Sequence, residues 1–329
     1  MMDPIVGDLK SSPVVRRYPG NPILSSEDVP YDSLLVFNPG VVRFQGRYVM
    51  VFRNDYGSLE EKRIEGTNIG LAFSDDGIKW EVQPKPCFEL RDHEIIRAYD
   101  PRLTVIDGRC YMCFAVDTRH GVRGGIAVTD DFEKFEILSM SVPDNRNMVL
   151  FPEKICDMFV RLERPFPVYS RGGAERFDIW ISDSPDLKYW GNSHLLLAVE
   201  DVPFANTKIG PGAPPVRTEK GWLVIFHAVD FDPARGKNGW EESWKKRYTA
   251  GVMLLDLDDP RRIVGLYKEP LIAPEVPYEI EGGFRNNVVF PCGAILEDTG
   301  EVKIYYGAAD SVICLATADV YDLLDLCIS

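Results

Sequence analysis

One strand–turn–strand unit recurs five times along this chain, and a chain that repeats one β unit has few folds open to it. The clearest copy is RAYDPRLTVIDGRCYMCFAVD, residues 97–117. An apolar strand led in by Tyr99-Asp100-Pro101-Arg102 is followed by an Asp107-Gly108 turn and a second strand from Cys110 to Val116. The second strand of the unit reappears as GRYVMVFR (46–53), DMFVRLERP (157–165), GWLVIFHAVD (221–230) and EVKIYYGAAD (301–310). Each is β-branched and aromatic, of strand length, and starts at a turn. The strands before them are NPGVVRF (38–44), DPRLTVI (100–106), NMVLFPEKI (147–155), PGAPPVRT (211–218) and NNVVFPCGAIL (286–296). A third strand and an acidic turn close each unit, at SDDGIKW (74–80), TDDFEKF (129–135), SDSPDLKYW (182–190), LDLDDPRRI (255–263) and TADVYDL (317–323).

A lone sheet of three or four strands cannot bury both faces, whereas five arranged radially bury each other's and leave only short edges. The repeat therefore predicts an all-β protein, a five-bladed β-propeller formed as a single domain over residues 1–329. A pair of β-sandwiches is the other arrangement, but it does not account for five copies in one internal order. No stretch offers a sustained helix-period run of apolar residues. Residues 1–36 hold no complete unit and are expected to form an N-terminal arm that closes the ring or covers a neighbour. Two polar insertions, 54–68 and 231–247, are expected to be binding loops or solvent-exposed decoration. The arm and the insertions are also the candidates for contacts in a homo-oligomer.

Charge and cysteines narrow the function. A formal net charge of −14 over 329 residues argues against nucleic acid as a partner, since phosphate backbones are bound by basic surfaces. It leaves room for a small anion, because a few convergent arginines set the local potential. The seven cysteines are read as reduced packing residues. Cys110 and Cys113 have CxxC spacing, yet in a strand they point to opposite faces. The N-terminus lacks the pattern of a signal peptide, and no run approaches the ~20 apolar residues of a membrane span. A cytoplasmic protein without membrane association is the expectation.

Strand ends of successive blades converge on one mouth, so polar residues at equivalent points of the repeat are candidate site residues. Asn38, Asp100 and Lys208 lie at or just before first strands. Arg53, Arg164, His227 and Asp310 end second strands, and Arg146 precedes the third unit's first strand. Arg146, Arg164, His227 and Tyr248 have no compensating carboxylate in their own motifs. Arginine offers a planar fork matched to phosphate oxygens, so this set reads as a phosphate site. Glu163 neighbours Arg164, but strand alternation should send it to the other face. Taken singly, each of these residues reads equally as a structural ion pair or a rim charge. Four isolated histidines (His93, His120, His194, His227) lack metal-ligand spacing, so no metal and no cofactor are expected.

The motifs VFNPGVV, GRYVMVFR, AYDPRL, NRNMVLFPEKI, RLERP, KIGPGAPP, GWLVIFHAV, YTAGVMLLDLDDP, NNVVFPCGAI and IYYGAAD, in this order over roughly residues 16–325, resemble glycoside hydrolase family 130. This is a family of five-bladed propellers comprising β-mannoside phosphorylases and related β-mannosidases. The resemblance implies Asp100 as general acid, and Arg146, Arg164, His227 and Tyr248 as ligands of inorganic phosphate, a co-substrate. It implies Asn38, Arg53, Lys208 and Asp310 as mannose-binding residues. Family hydrolases replace the basic phosphate-binding residues, which are retained here.

The reaction so implied is glycosyl transfer to phosphate: phosphorolysis of a β-mannoside oligosaccharide with inversion, giving α-mannose 1-phosphate and a shortened sugar. Phosphate is already a nucleophile, so one carboxylic acid suffices where an inverting hydrolase also needs a base for water. Asp100 must then hold a proton at working pH, which calls for a raised pKa, although Arg97, Arg102 and the phosphate-site arginines push the other way and bound phosphate would partly cancel them. Pro39-Gly40 stands where many members acting on β-1,4-linked sugars carry Ser-Ala, which points towards β-1,2-mannobiose or oligomannan. The alternatives are a β-1,4-mannosyl-glucose or mannooligosaccharide phosphorylase, an inverting β-mannosidase using a carboxylate such as Glu153 or Glu163, and a non-catalytic sugar-binding propeller.

Overall fold

The structure, a computed structural model, describes residue 5 and residues 7–167, 176–241 and 243–328. Residues 1–4 and 6 of the N-terminal arm, and Glu242 of the second insertion, lie outside these.

Five antiparallel sheets follow one another around the ring, giving the five-bladed propeller that the repeat predicts. After β1 (Arg16–Arg17), blade 1 is β2 (Leu35–Phe44), β3 (Arg47–Ser58), β4 (Arg63–Ser74) and β5 (Glu81–Val82). Blade 2 is β6 (Ile95–Ile106), β7 (Arg109–Thr118), β8 (Gly121–Thr129) and β9 (Glu136–Met140). Blade 3 is β10 (Asn145–Leu150), β11 (Phe159–Pro165), β12 (Ile179–Ser184) and β13 (Gly191–Leu197). Blade 4 is β14 (Lys208–Pro211), β15 (Val216–Arg217), β16 (Trp222–Phe231), β17 (Lys246–Leu255) and β18 (Ile263–Leu266). Blade 5 is β19 (Val289–Leu296), β20 (Glu301–Ala308) and β21 (Val312–Asp319), completed on its outer edge by β1 from the N-terminal arm.

Burial on both faces of each blade explains the near-continuous apolar strands. One core joins blades 1 and 2 around Val51, Leu103 and Phe114, and another joins blades 3 and 4 around Phe151, Leu162 and Phe226. Cys110 and Cys113 enter the cores on opposite sides of blade 2, as strand alternation requires. All seven cysteines are unpaired; Cys156 departs from expectation by being exposed rather than packed.

The acidic turns share one mechanism. Asp76, Asp131, Asp186 and Asp256 each accept two backbone N–H groups two and three residues on, which closes the exit from the third strand.

Three sequence expectations need correction. The segment 317–323 is not a fifth acidic turn: β21 runs to Asp319 and a helix, α2 (Val320–Ile328), follows. Its Val320, Leu323, Leu324 and Cys327 form one buried stripe. The first strand of blade 4 is split into β14 and β15 on either side of Pro214-Pro215, where two N–H donors are missing. Residues 54–68 are the extended end of the β3–β4 hairpin rather than a loop, with Asn54, Asp55, Thr67 and Asn68 buried and only the tip exposed.

Ring closure by the arm is anchored by charge. Arg17 forms a 2.7 Å ion pair with the fully buried Glu279 of α1 (Pro277–Ile280) and donates to Ala273 O at 2.6 Å. Tyr306 of blade 5 donates to the same carboxylate at 2.9 Å. Removing the cation strands a buried carboxylate, so Arg17→Ala is expected to lower unfolding free energy by about 3 kcal/mol. Urea unfolding measures it, and a midpoint equal to wild type would show that the arm does not hold the ring.

Candidate active site

The innermost strands carry a recurring irregularity that aims side chains at the channel. Register slips at Asn38 in β2, Asp100 in β6 and Asn147 in β10, and each of these residues is left-handed, with φ of 53°, 54° and 58°. A bulge re-aims the side chain it displaces, and Asn and Asp tolerate this backbone better than other non-glycine residues. Proline follows at 39 and 101, as a disrupted ladder allows.

These bulges and the neighbouring strand ends enclose a cavity of about 410 Å³. Eight of the nine residues chosen from sequence line it: Asn38, Arg53, Asp100, Arg146, Arg164, Lys208, Tyr248 and Asp310. The ninth, His227, does not. It is fully buried behind Arg164, with Nδ1 3.1 Å from Pro211 O and Nε2 3.1 Å from Arg164 Nη1. Nδ1–H donates to the carbonyl, so Nε2 is the acceptor for the guanidinium. Burial, then Arg164, holds the imidazole pKa well below its ordinary value, which fits this neutral tautomer.

Asp100 sits in a basic cage. Its Oδ1 accepts from Asn38 Nδ2 at 2.8 Å and faces Arg53 Nη1 at 3.5 Å. Arg53 is itself held by the buried Asp55, at 2.7 Å from Nη2, and Asp55 also accepts from Thr67 at 2.6 Å. Burial pushes the Asp100 carboxyl up, but Arg53, Arg102, the Asn38 hydrogen bond and Arg146 together bring it below the ordinary range. The raised pKa expected from sequence is therefore not what the unliganded site provides. Asp310 goes the other way: burial, aided by Asp100, raises it despite Arg285 and Arg53.

Opposite Asp100 lies the cationic wall. Among the described residues neither Arg146 nor Arg164 has a carboxylate partner, and the buried Nε of each lacks a hydrogen-bond acceptor. Arg146 Nη1 donates to Tyr99 OH at 3.1 Å; that hydroxyl donates to Asp117 at 2.7 Å, which also holds Arg97 at 2.7 Å. Burial and then Arg146 push the Arg164 guanidinium down to about 9. Lys208 is held well below its ordinary pKa by burial and then by Arg164, and Lys246 is lowered by burial and Arg285. Arg146 itself is raised against burial by Tyr99, Tyr248 and Asp100, while its charge helps to depress Arg164, Lys208 and Lys246, and cations depressed in this way are placed to receive an anion.

Sequence reasoning missed part of the lining. Asn147 was legible, because it occupies the bulge position of Asn38 and Asp100. Glu241, Trp244 and Lys246 all lie in the 231–247 insertion, whose inner part thus forms a wall of the site. Arg285, in the loop before blade 5, had no signal: it pairs with Glu241 at 2.8 Å and Asp310 at 3.4 Å under the Trp244 ring. Glu163 turns away into an ion pair with Arg161, and Glu153 pairs with Arg217 outside the cavity. Among the described residues no group of three or more His, Cys, Asp or Glu side chains is placed to hold a metal ion, and no helix is long and apolar enough to cross a membrane.

Residues 10–329 match the family model described as beta-1,4-mannooligosaccharide phosphorylase, glycoside hydrolase family 130. The chain belongs to this family. It is 33% identical to a β-1,4-mannooligosaccharide phosphorylase of Ruminococcus albus, over 95% of this chain and 90% of the relative. It is 31% identical to a 1,2-β-oligomannan phosphorylase of Thermoanaerobacter sp., over 94% and 98%. The solved β-1,2-mannobiose phosphorylase of Listeria innocua superimposes with a TM-score of 0.80 at 26% identity, covering 95% of this chain and 99% of that one.

Binding of an anion should restore protons to the depressed lysines of this family 130 site. At pH 8, inorganic phosphate is expected to bind with net proton uptake, read by calorimetry in two buffers of different ionisation enthalpy, and Arg164→Ala should reduce that uptake. Proton release on binding would contradict the charge arrangement.

Proposed function

We propose that this protein is an inverting β-mannoside phosphorylase, converting a β-linked mannooligosaccharide and inorganic phosphate into α-mannose 1-phosphate and a shortened sugar. The observation that carries this reading is the pair of Arg164, buried, and Arg146, part-buried, uncompensated by carboxylate and in one cavity with Asp100. Membership of a family whose relatives are phosphorylases supports it.

In this reading the terminal mannose is held by Asn38, Arg53, Lys208 and Asp310. Arg146 and Arg164 hold phosphate by charge-assisted forks, with Tyr248 beside them. His227 acts as a positioning residue, fixing Arg164 from behind. A phosphate oxygen forms the bond to the anomeric carbon as the glycosidic C–O bond breaks on the opposite face. The leaving oxygen takes its proton from Asp100, directly or through a mannose hydroxyl. Bound phosphate offsets the arginines' field and so lets Asp100 hold that proton. The hydrolytic alternative gains no support, since neither Glu153 nor Glu163 faces the cavity.

We assign the β-1,2 linkage on Pro39-Gly40. There is no room for a side chain at Gly40, where a Cβ would lie 2.9 Å from Pro101 O and Leu103 N, so the bulges of blades 1 and 2 dock backbone to backbone beside Asn38. Unpaired cysteines support a reducing compartment, the cytoplasm.

Mannose 1-phosphate release is measured from β-1,2- and β-1,4-mannobiose, with and without phosphate. Wild type should require phosphate and prefer the β-1,2 sugar. Asp100→Asn is expected to lower turnover by about 10²–10⁴-fold, and Arg164→Ala to raise the phosphate KM at least about tenfold. Free mannose released equally without phosphate would make it a hydrolase. A second check follows the Asp100 carboxyl by carbon NMR. Its midpoint should lie below the ordinary Asp range in the free enzyme and move up when phosphate saturates, and an unchanged midpoint would remove Asp100 as the acid.

A further inference from the structure

Blade 3 breaks a packing rule that the other four keep. In the second strand, Phe52, Phe114, Phe226 and Tyr306 occupy equivalent points, each in the core shared with the preceding blade. The three phenyl rings lie across glycines of the third strand, with cross-strand pairs Phe52–Gly70, Phe114–Gly125 and Phe226–Gly251. A Cβ at any of these glycines would run into the ring. In blade 3 the same pair is Glu163–Trp180. The aromatic plug is missing, and a cleft of about 700 Å³ opens between blades 2 and 3.

The floor of that cleft is polar and fully engaged except at one atom. Glu163 meets Arg161 at 2.6 Å, Ser182 at 2.8 Å and Asn145 at 2.5 Å, while the buried Asn145 Oδ1 has no partner. A buried ion pair stabilises no better than apolar packing, so stability does not explain replacing a phenylalanine with one. The walls are aromatic. Trp190 stacks on Arg161 at 4.0 Å, and Trp180 stands beside Glu163. At the rim Tyr189 is 77% exposed, presented by the Asp186 turn. The equivalent turn positions in blades 1 and 2 are Lys79 and Lys134, which are the ordinary solvent-facing choice.

We propose that this cleft is a second carbohydrate-binding site, taking pyranose units of a neutral oligosaccharide between Trp180, Tyr189, Asn145 and the Arg161–Glu163 pair. A pyranose has a C–H face that stacks on aromatic rings and a hydroxyl edge that matches the planar forks of Arg, Glu and Asn. The Arg161–Glu163 pair of the floor neutralises itself, and the rest of the lining adds Arg176, Lys188 and Asp178, a near-balance that suits an uncharged ligand over an anion. The volume lies within the ~300–1,000 Å³ of small-molecule sites. The choice of β-mannosyl units rests on the reaction proposed above. The cleft also shares its strands with the phosphate-site arginines: Asn145 precedes Arg146 and Glu163 precedes Arg164, the side chains of the latter pair on opposite faces.

Binding of β-1,2- and β-1,4-mannotetraose is titrated without phosphate by calorimetry and saturation-transfer NMR. Wild type and Lys208→Ala should both retain a site that Trp180→Ala and Tyr189→Lys weaken about tenfold. Tyr189→Lys restores the residue of the sister blades and should leave folding and mannobiose phosphorolysis unchanged. A single site lost in Lys208→Ala, or a second site indifferent to both aromatic variants, would overturn the proposal. So would self-association abolished by Tyr189→Lys, which would assign the cleft to a second copy of the chain. Cleft binding that persists in an enzyme inert towards mannobiose and phosphate would sink the reaction and leave this site standing.

Discussion

The site depends on one backbone device, a left-handed Asn or Asp at a bulge in the innermost strand. Asn38, Asp100 and Asn147 each leave the regular ladder there, at a conformational cost of about 1 kcal/mol apiece. A regular strand would send alternate side chains into the interblade cores and leave none aimed along the channel. The bulges docked against each other bring Asn38 Nδ2 to 2.8 Å from Asp100. Because these turns are held by apolar cores on either side, the polar groups are fixed by packing rather than by their own hydrogen bonds.

The same packing explains how the protein tolerates a cluster of buried cations. Arg53 and Arg285 are neutralised by Asp55 and Glu241. Arg146 and Arg164 instead have the neutral partners Tyr99 and His227. A phenol and an imidazole orient a guanidinium without cancelling its charge, so the forks are aimed yet remain electrostatically unsatisfied. This division separates cations that shape the cavity from cations available to an anion.

Fold and site were unequally legible in the sequence. The five-fold order survived because strand patterning is local, and family motifs sat on the bulges and strand ends themselves. Helix α2 was hidden because its 320, 323, 324, 327 stripe follows a strand without a break and spans barely two turns. Arg285 was hidden for a different reason: it reaches the site from a loop outside the repeat, and only its pairs with Glu241 and Asp310 reveal it. His227 shows the limit of carrying a residue by motif, since its position in the strand was right and its side chain stands behind Arg164. The state of Asp100 was legible only in part: Arg102 stands two residues on in the same strand, whereas Arg53, Asn38 and Arg146 converge on it from other segments and burial sets the balance.

That balance bears on why a propeller of this kind would choose phosphate over water. In the unliganded cavity Asp100 is biased towards the carboxylate, the wrong form for a general acid, and water entering the site would find no charged nucleophile's field to change this. On the proposed reaction a phosphate dianion placed against Arg146 and Arg164 opposes the same field that holds the Asp100 proton off. The nucleophile thereby helps to prepare the acid that its own attack requires. Removing Arg146 would lift only part of that field, since Arg53, Arg102 and the Asn38 hydrogen bond would still favour the carboxylate. Hydrolysis would in addition need a base for water, and neither Glu153 nor Glu163 stands where it could serve as one. On the proposed reaction Arg146 has two roles with one charge: with Arg164 it binds the nucleophile, and with Arg53 and Arg102 it keeps Asp100 ionised until phosphate arrives.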